Sequence, residues 1–294
     1  FELMITFEVL KIGSNLLREH RIQSNLIDSE ILLSKTLNKS REQILTNLNE
    51  KVDENKIFKF KNYIKRRCRN EPIAYILEEK EFWSKKFKVT SDVLIPRPET
   101  ELLVEQLTNN FEGKKISILD IGTGSGCIII SLLCNLNQSY GLGIDISKKA
   151  IKIARDNAIK HNLFHKVKFK NKSFESVINK KFDLIVSNPP YIKSKDFRNL
   201  SDDIKKYEPR IALDGGNDGL DLIKKVIYKS KNILKINGTL ALEIGNGQIK
   251  KVSKILFDND FRIIHVIKDY KENVRCIIAN LIRKWITIEE EILD

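Results

Sequence analysis

No run of apolar residues in this chain approaches the roughly 20 that a helix needs to cross a bilayer. The longest, Cys127 to Cys134, stops far short, so no helical membrane anchor is expected. Cysteine is scarce. Cys68, Cys127, Cys134 and Cys276 form no C-x-x-C pair and no Cys/His set with zinc spacing. They read as reduced thiols of a cytoplasmic protein, and no metal site is expected. His161 and His165 stand four apart, as metal pairs on a helix do, but no carboxylate motif accompanies them, and they read as surface residues. The only methionine is Met4, so residues 1–3 are read as preceding the natural start. Glu2 and Glu8 occupy the N-terminus with no basic segment ahead of an apolar one, so this stretch is not expected to be a secretory leader.

Positive charge is what the chain has in excess: 52 Lys and Arg against 39 Asp and Glu, a net +13. That balance suggests an acidic partner such as RNA or a ribonucleoprotein. The lysines are nevertheless spread out, as a solvated surface would have them. The one dense patch is KNYIKRRCR at 61–69, a candidate for weak RNA contact.

Residues 5–70 carry helical periodicity. Leu10, Leu16 and Leu17 begin a stripe. Asp28 reads as an N-cap ahead of Ile31, Leu32 and Leu33. Ser40 with Gln43 forms a capping box, and Asp53 opens a last helix through Phe58, Tyr63 and Ile64. Around 72–95 the pattern turns β-like, with Ser84-Lys85-Lys86 as a hairpin turn. Pro96 and Pro98 then stiffen an extended linker, and a helix starts at Glu99 or Thr100. From 116 onward strands and helices alternate, ending in strands at 261–267 and 274–279 that are too closely linked to pair other than antiparallel. The expected fold class is α/β: a Rossmann-like, mostly parallel sheet with an antiparallel last strand, and a small helical N-terminal domain. The domains are read as 1–80 helical, 81–100 hairpin and Pro-rich linker, and 101–294 the sheet domain.

Two motifs carry chemistry. The strand ending Asp120-Ile121 runs into Gly122-Thr123-Gly124-Ser125-Gly126 and then a helix. Glycines there permit positive φ and close approach of backbone to ligand. The G-x-G-x-G spacing is tighter than the dinucleotide fingerprint and suits a nucleoside without phosphates, such as S-adenosylmethionine. Asp145, at the tip of the next strand, can take both ribose hydroxyls; its alternative use is as a helix cap. The second motif is Asn188-Pro189-Pro190-Tyr191 after another buried strand. A conjugated nitrogen is a poor nucleophile, so its NH2 needs acceptors that hold both N–H bonds. The Asn188 side-chain oxygen and the Pro189 carbonyl offer two. Two prolines make a rigid shelf, and Tyr191 offers a flat face.

These motifs resemble those of the peptide-chain-release-factor glutamine N5-methyltransferases, the HemK/PrmC family. The similarity runs through EPIAYILEEKEFW (71–83), VLIPRPETELLVE (93–105), ILDIGTGSGCI (118–128), FDLIVSNPPYI (182–192), YEPRIALDGGNDGL (207–220) and LEIGNGQ (242–248). The resemblance implies that Gly122, Thr123, Gly124, Ser125, Gly126 and Asp145 bind S-adenosylmethionine, with Asn188 near the methyl donor. It implies that Asn188, Pro189, Pro190 and Tyr191 hold the substrate glutamine, with Asn188 and Pro189 acting directly in transfer. Arg97 and Glu99 are implied at the site mouth. The implied substrate is the glutamine of the Gly-Gly-Gln loop of class 1 release factors; the helical domain is expected to grip the release factor, and a monomer is expected. The chain departs from the family at Glu78 and Glu272, where glycine is usual, and at Lys172 and Ser173, where an acidic residue and an aromatic flank the adenine. The rival readings are an adenine N6-methyltransferase of nucleic acid and a catalytically silent RNA- or ribosome-binding protein of the same fold.

Overall fold

The computed structural model describes residues 4–178 and 180–282. The proposed extra residues 1–3 and the end of the sheet domain beyond 282 lie outside them. In chain order the helices are α1 (Thr6–Glu19), α2 (Asn25–Leu37), α3 (Arg41–Thr46), α4 (Glu54–Cys68), α5 (Ile73–Leu77), α6 (Pro98–Asn110), α7 (Cys127–Asn135), α8 (Lys148–Lys160), α9 (Asp202–Tyr207), α10 (Asp221–Ile233) and α11 (Ile249–Asp258). The strands are β1 (Glu79–Phe82), β2 (Lys85–Lys88), β3 (Ser117–Ile121), β4 (Tyr140–Asp145), β5 (Val167–Asn171), β6 (Phe182–Ser187), β7 (Leu234–Glu243), β8 (Phe261–Lys268) and β9 (Val274–Leu281). The chain divides into two compact units. One comprises 1–79 with 200–208, and the other comprises 80–199 with 209–294.

The first unit is helical. α1, α2, α4 and α5 bury Val9, Leu17, Leu32, Leu33, Phe60, Ile64 and Ile76 in one core. Gly13 permits the closest approach, because a Cβ there would sit 2.4 Å from the Phe60 ring. The capping box of Ser40 with Gln43 and the Asp53 cap both form. Asp28 differs from expectation. Ser24 is the N-cap of α2, and Asp28 lies a turn inside, buried, accepting from Ser24 Oγ at 2.8 Å and Arg67 Nε at 2.7 Å. The basic stretch 61–69 is correspondingly divided. Arg67 is held by Asp28 and Arg66 by Glu71, while Lys61, Lys65 and Arg69 face solvent. Helix α9 joins this unit through the Tyr207 hydroxyl, which donates to the Arg69 carbonyl at 3.0 Å.

The second unit is a seven-stranded sheet in the order β5-β4-β3-β6-β7-β9-β8, parallel except for β9. Every residue of β3 is buried, as befits a central strand covered on both faces. One face packs Leu103, Ile129, Leu133 and Ile151 from α6, α7 and α8. The other packs Ile223, Ile227, Val252 and Leu256 from α10 and α11. Each such fully buried side chain contributes about 1.5–3 kcal/mol of transfer free energy. β1 and β2 form a separate hairpin. Its turn is Trp83-Ser84, both at positive φ, rather than the Ser-Lys-Lys expected. A two-residue turn with both φ positive matches strand twist, so Lys85 and Lys86 already lie in β2. Helix α6 begins one residue earlier than expected, with Pro98 in its first turn, where a missing N–H costs nothing. Glu78 and Glu272 sit at φ +53° and +62°, the left-handed region where glycine is easier than glutamate.

The sheet sets up the site by register alone. Ile121 at the end of β3 pairs with Ile144 on β4 and with Ser187 on β6. Gly122, Asp145 and Asn188 therefore emerge side by side at the carboxyl edge, where the chain order reverses across β3. Such crevices are where open α/β sheets bind ligands.

Candidate functional site

At that edge lies a cavity of about 320 Å³. Its wall includes Gly122, Thr123, Gly124, Ser125, Asp145, Asn188, Pro189 and Pro190, together with Arg97 and Thr100. Gly126, Tyr191 and Glu99 do not line it.

The glycine turn is built from backbone. Gly122, Gly124 and Gly126 have φ of +71°, +53° and +79°. The N–H groups of Gly122 and Thr123 both donate to the Ile144 carbonyl at 3.0 Å. A side chain at Gly126 would meet Ile130 at 3.0 Å, whereas at Gly122 nothing lies within 4 Å, so that corner of the turn is open to a ligand. Asp145 fastens the turn to β4. One carboxylate oxygen accepts from Gly124 N at 3.0 Å and the other from Ser147 N at 2.8 Å. Ser147 is the cap of α8, accepting from Ala150 N at 3.2 Å. Beneath the turn, buried Asp120 accepts from Thr123 Oγ1 at 2.7 Å, and its other oxygen has no hydrogen-bond partner among the described residues. Burial, with the charge of Asp145 adding, pushes its carboxyl up to about 7, against the Thr123 bond and the Ile129 backbone N–H.

Fully buried Asn157 on α8 braces the same turn. Its Nδ2 donates to the carbonyls of Ser125 at 2.9 Å and Lys88 at 3.0 Å, and its Oδ1 accepts from Lys88 N at 2.7 Å. His161, one residue past α8, packs its ring on Phe87 at 4.9 Å between centroids and engages the Lys86 carbonyl, so it is more enclosed than the surface residue expected.

The Asn-Pro-Pro-Tyr loop is held by segments far away in sequence. Ile192 N donates to Leu213 O at 3.0 Å, and Gly215 N donates back to Ile192 O at 2.8 Å. A Cβ on Gly215 would sit 2.7 Å from the Pro190 carbonyl, and one on Gly219 only 2.4 Å from the Tyr191 carbonyl. The glycines of GGNDG thus let a second loop lie flat against the first. Gln248 locks the pair, donating through Nε2 to both Tyr191 O and Gly219 O at 3.1 Å. Its Oε1 accepts from Gly245 N at 2.8 Å. Tyr191 turns its hydroxyl inward to Glu243, at 3.3 Å, rather than standing at the cavity wall. Glu243, at the end of β7, also accepts from Thr100 Oγ1 at 2.5 Å. Burial holds its carboxyl up at about 6, against the hydrogen bonds from Thr100 and Tyr191. Burial and the Glu243 charge push the Tyr191 hydroxyl up as well.

The remaining cavity wall is mostly apolar and includes Ile144, Ile146, Phe174 and Leu222. Lys172 lies on it too. Burial first, then Lys170, Lys180 and Lys229, lower its pKa. A cavity of this size, with glycine backbone at one corner, a carboxylate beside it and apolar flanks, fits a nucleoside-sized ligand.

Comparison with known proteins decides the family. Residues 8–77 match the model of the PrmC N-terminal domain, and residues 98–206 that of the methyltransferase small domain. A protein of Clostridium botulinum named release factor glutamine methyltransferase is 40% identical over 280 residues, covering 94% of this chain and 99% of that one. The chain belongs to the release factor glutamine methyltransferase family. A bifunctional methyltransferase of Rickettsia typhi is 38% identical over 290 residues, and there this chain spans only 56% of the relative's length. The chain thus covers about half of the bifunctional relatives it matches. Among solved structures, the catalytic domain of hMettl16 superposes with a TM-score of 0.56 at 16% identity, covering 76% of this chain and 83% of that one. That likeness bears out the Rossmann-like, mostly parallel sheet expected from the sequence. Membership in this methyltransferase family implies S-adenosylmethionine as the methyl donor. Among the described residues no helix is long and apolar enough to cross a membrane.

The supporting residues Thr100, Asn157, Glu243 and Gln248 escaped the sequence reading. Thr100, Glu243 and Gln248 lie within the stretches similar to the family, but nothing in their local pattern distinguishes a brace from a surface residue.

Proposed function

We propose that this chain transfers a methyl group from S-adenosylmethionine to the side-chain amide nitrogen of the glutamine in the Gly-Gly-Gln loop of class 1 release factors. One observation supports this most: the glycine turn after β3 and the Asn-Pro-Pro segment after β6 line a single cavity. When bound, S-adenosylmethionine supplies a methyl on a sulfonium, whose carbon–sulfur bonding pair stays with sulfur. Gly122, Thr123, Gly124, Ser125, Gly126 and Asp145 are assigned to hold that cofactor, Gly126 through the turn it closes rather than at the lining.

At the other end, the Asn188 side-chain oxygen and the Pro189 carbonyl accept the two N–H bonds of the glutamine amide. Held this way, the nitrogen directs its lone pair at the methyl carbon and forms the new C–N bond. The proton that becomes acidic on the nitrogen passes to water, so no dedicated base is required. Alignment supplies most of the acceleration in such a site. Pro189 and Pro190 stiffen the loop, and Tyr191 supports it from below through Glu243. The helical unit is assigned to grip the release factor, in keeping with the relatives' name. Lys61, Lys65 and Arg69 are the residues of the basic stretch left to meet RNA.

Labelled methyl donor offered together with purified release factor, DNA and RNA tests the reading. Label on the release factor, lost when its Gly-Gly-Gln glutamine is substituted, is the expected result. Label on adenine of either nucleic acid, or on nothing, overturns it.

A further inference from the structure

The carboxamide of asparagine has two ends of the same shape and opposite polarity. Only its oxygen can receive an NH2 group; the flipped amide would present N–H to N–H. From the side-chain bonds in the second unit we infer that Thr100 and Glu243 together decide which end of Asn188 faces the cavity. The inference deepens the proposed amide-methylating reading and rests on it.

Thr100 Oγ1 lies 2.5 Å from Glu243 Oε2, a separation two oxygens hold only with a hydrogen between them. An ionised carboxylate accepts and cannot donate, so that hydrogen is the threonine's. A hydroxyl has one proton. With it committed to Glu243, Thr100 offers Asn188 only lone pairs. The 3.3 Å contact between Thr100 and Asn188 must therefore be donated by Asn188 Nδ2. The side-chain oxygen is left pointing the other way, and it accepts no hydrogen bond from the described residues. Thr100 and Asn188 both stand at the cavity wall. Tyr191 occupies the other oxygen of Glu243 at 3.3 Å, which fixes the carboxylate. Glu243 and Thr100 are both 2% exposed, so water does not compete for these bonds. Thr100 and Glu243 are positioning residues: they act through Asn188. A site so oriented selects an amide and turns away the isosteric carboxylate, because an oxygen acceptor faces the substrate.

The charged groups acting on Glu243 are Glu99 and Arg275, and its hydrogen-bonding neighbours are Thr100 and Tyr191. Protonated Glu243 could donate to Thr100 and release the threonine's proton toward Asn188. Turnover in the wild type should therefore fall as pH drops through about 6.

Three variants and one spectrum test the inference. Thr100→Val keeps shape and removes the hydroxyl; kcat should fall roughly 10- to 100-fold, the equivalent of one misdirected hydrogen bond. KM for the release factor and the cofactor Kd should stay within about twofold, since neither depends on the amide's polarity alone. Thr100→Ser restores the relay and should recover kcat to within about threefold of wild type. Glu243→Gln should lose the acidic limb of the pH profile. Wild-type rates in Thr100→Val, or equal loss in the serine and valine variants, overturn the inference. Absence of methyl transfer by the wild type would instead overturn the reading beneath it. The relay then still stands or falls by NMR of the wild type. Cross-peaks between the Asn188 Nδ2 protons and the Thr100 side chain support it, and their absence overturns it.

Discussion

The two ends of the cavity are made in different ways. The glycine turn is local. Three glycines at positive φ give it its shape from one short stretch, and only Asp145 at the tip of β4 and Asn157 on α8 fasten it from elsewhere. The Asn-Pro-Pro-Tyr loop is a confluence. Thr100, Gly215, Gly219, Glu243 and Gln248 come from four separate segments to hold four residues in place. The turn binds by exposing backbone; the loop aims side-chain and carbonyl oxygens. The first should fail by losing affinity and the second by losing rate.

The largest effect should come from the loop's support. Gly219 has φ +75°, and an added Cβ meets the Tyr191 carbonyl at 2.4 Å. Gly219→Ala should cost about 3 kcal/mol of stability in the second unit, through backbone strain and displacement of the loop. Denaturant unfolding measures it; a loss below about 0.5 kcal/mol would mean the two loops are not tightly coupled. Asp145→Ala should act on the other end, weakening cofactor binding about tenfold, the worth of the charged acceptor that fastens the turn. An unchanged Kd by calorimetry would remove Asp145 from the cofactor's surroundings.

The pH dependence joins the two ends. Burial raises Asp120 to about 7 and Glu243 to about 6, above their unfolded values of 3.8 and 4.5. An acid whose folded pKa is raised favours the native state below its unfolded pKa, and that contribution is lost as pH rises through the folded value. The second unit should therefore become less stable between about pH 4 and pH 7. Asp120→Asn keeps the acceptor for Thr123 and should flatten much of that slope. A slope of the opposite sign in the wild type would contradict the assignment.

The smallest effect lies away from the site. Glu78, at φ +53°, caps α5 in the left-handed region. Glu78→Gly should raise stability by about 0.5–1 kcal/mol, visible as a higher thermal midpoint. A fall would show that the glutamate makes a compensating interaction.

What could be read from sequence follows the same division. The alternating strands and helices from 116 onward, the antiparallel end of the sheet, the Ser40 and Asp53 caps and the glycine turn were legible because each depends on residues close in sequence. Asp28 misled because a polar residue ahead of Ile31, Leu32 and Leu33 looks like a cap, whereas its partner Arg67 is 39 positions away. The hairpin turn was displaced because Trp83 does not advertise positive φ. Thr100, Glu243 and Gln248 were hidden for the same reason as Arg67: their work is done 88, 52 and 57 residues from their own positions. Helix α9 is too short to show a period.

The measurement that bears most directly on the division is made on one variant, Asn188→Ala, with calorimetry for the cofactor and single-turnover methyl transfer under cofactor saturation. Cofactor affinity within about twofold of wild type, with transfer slowed roughly 10²- to 10³-fold, is what an oxygen aimed only at the reacting amide predicts. Lost affinity with normal transfer by the bound fraction would contradict it.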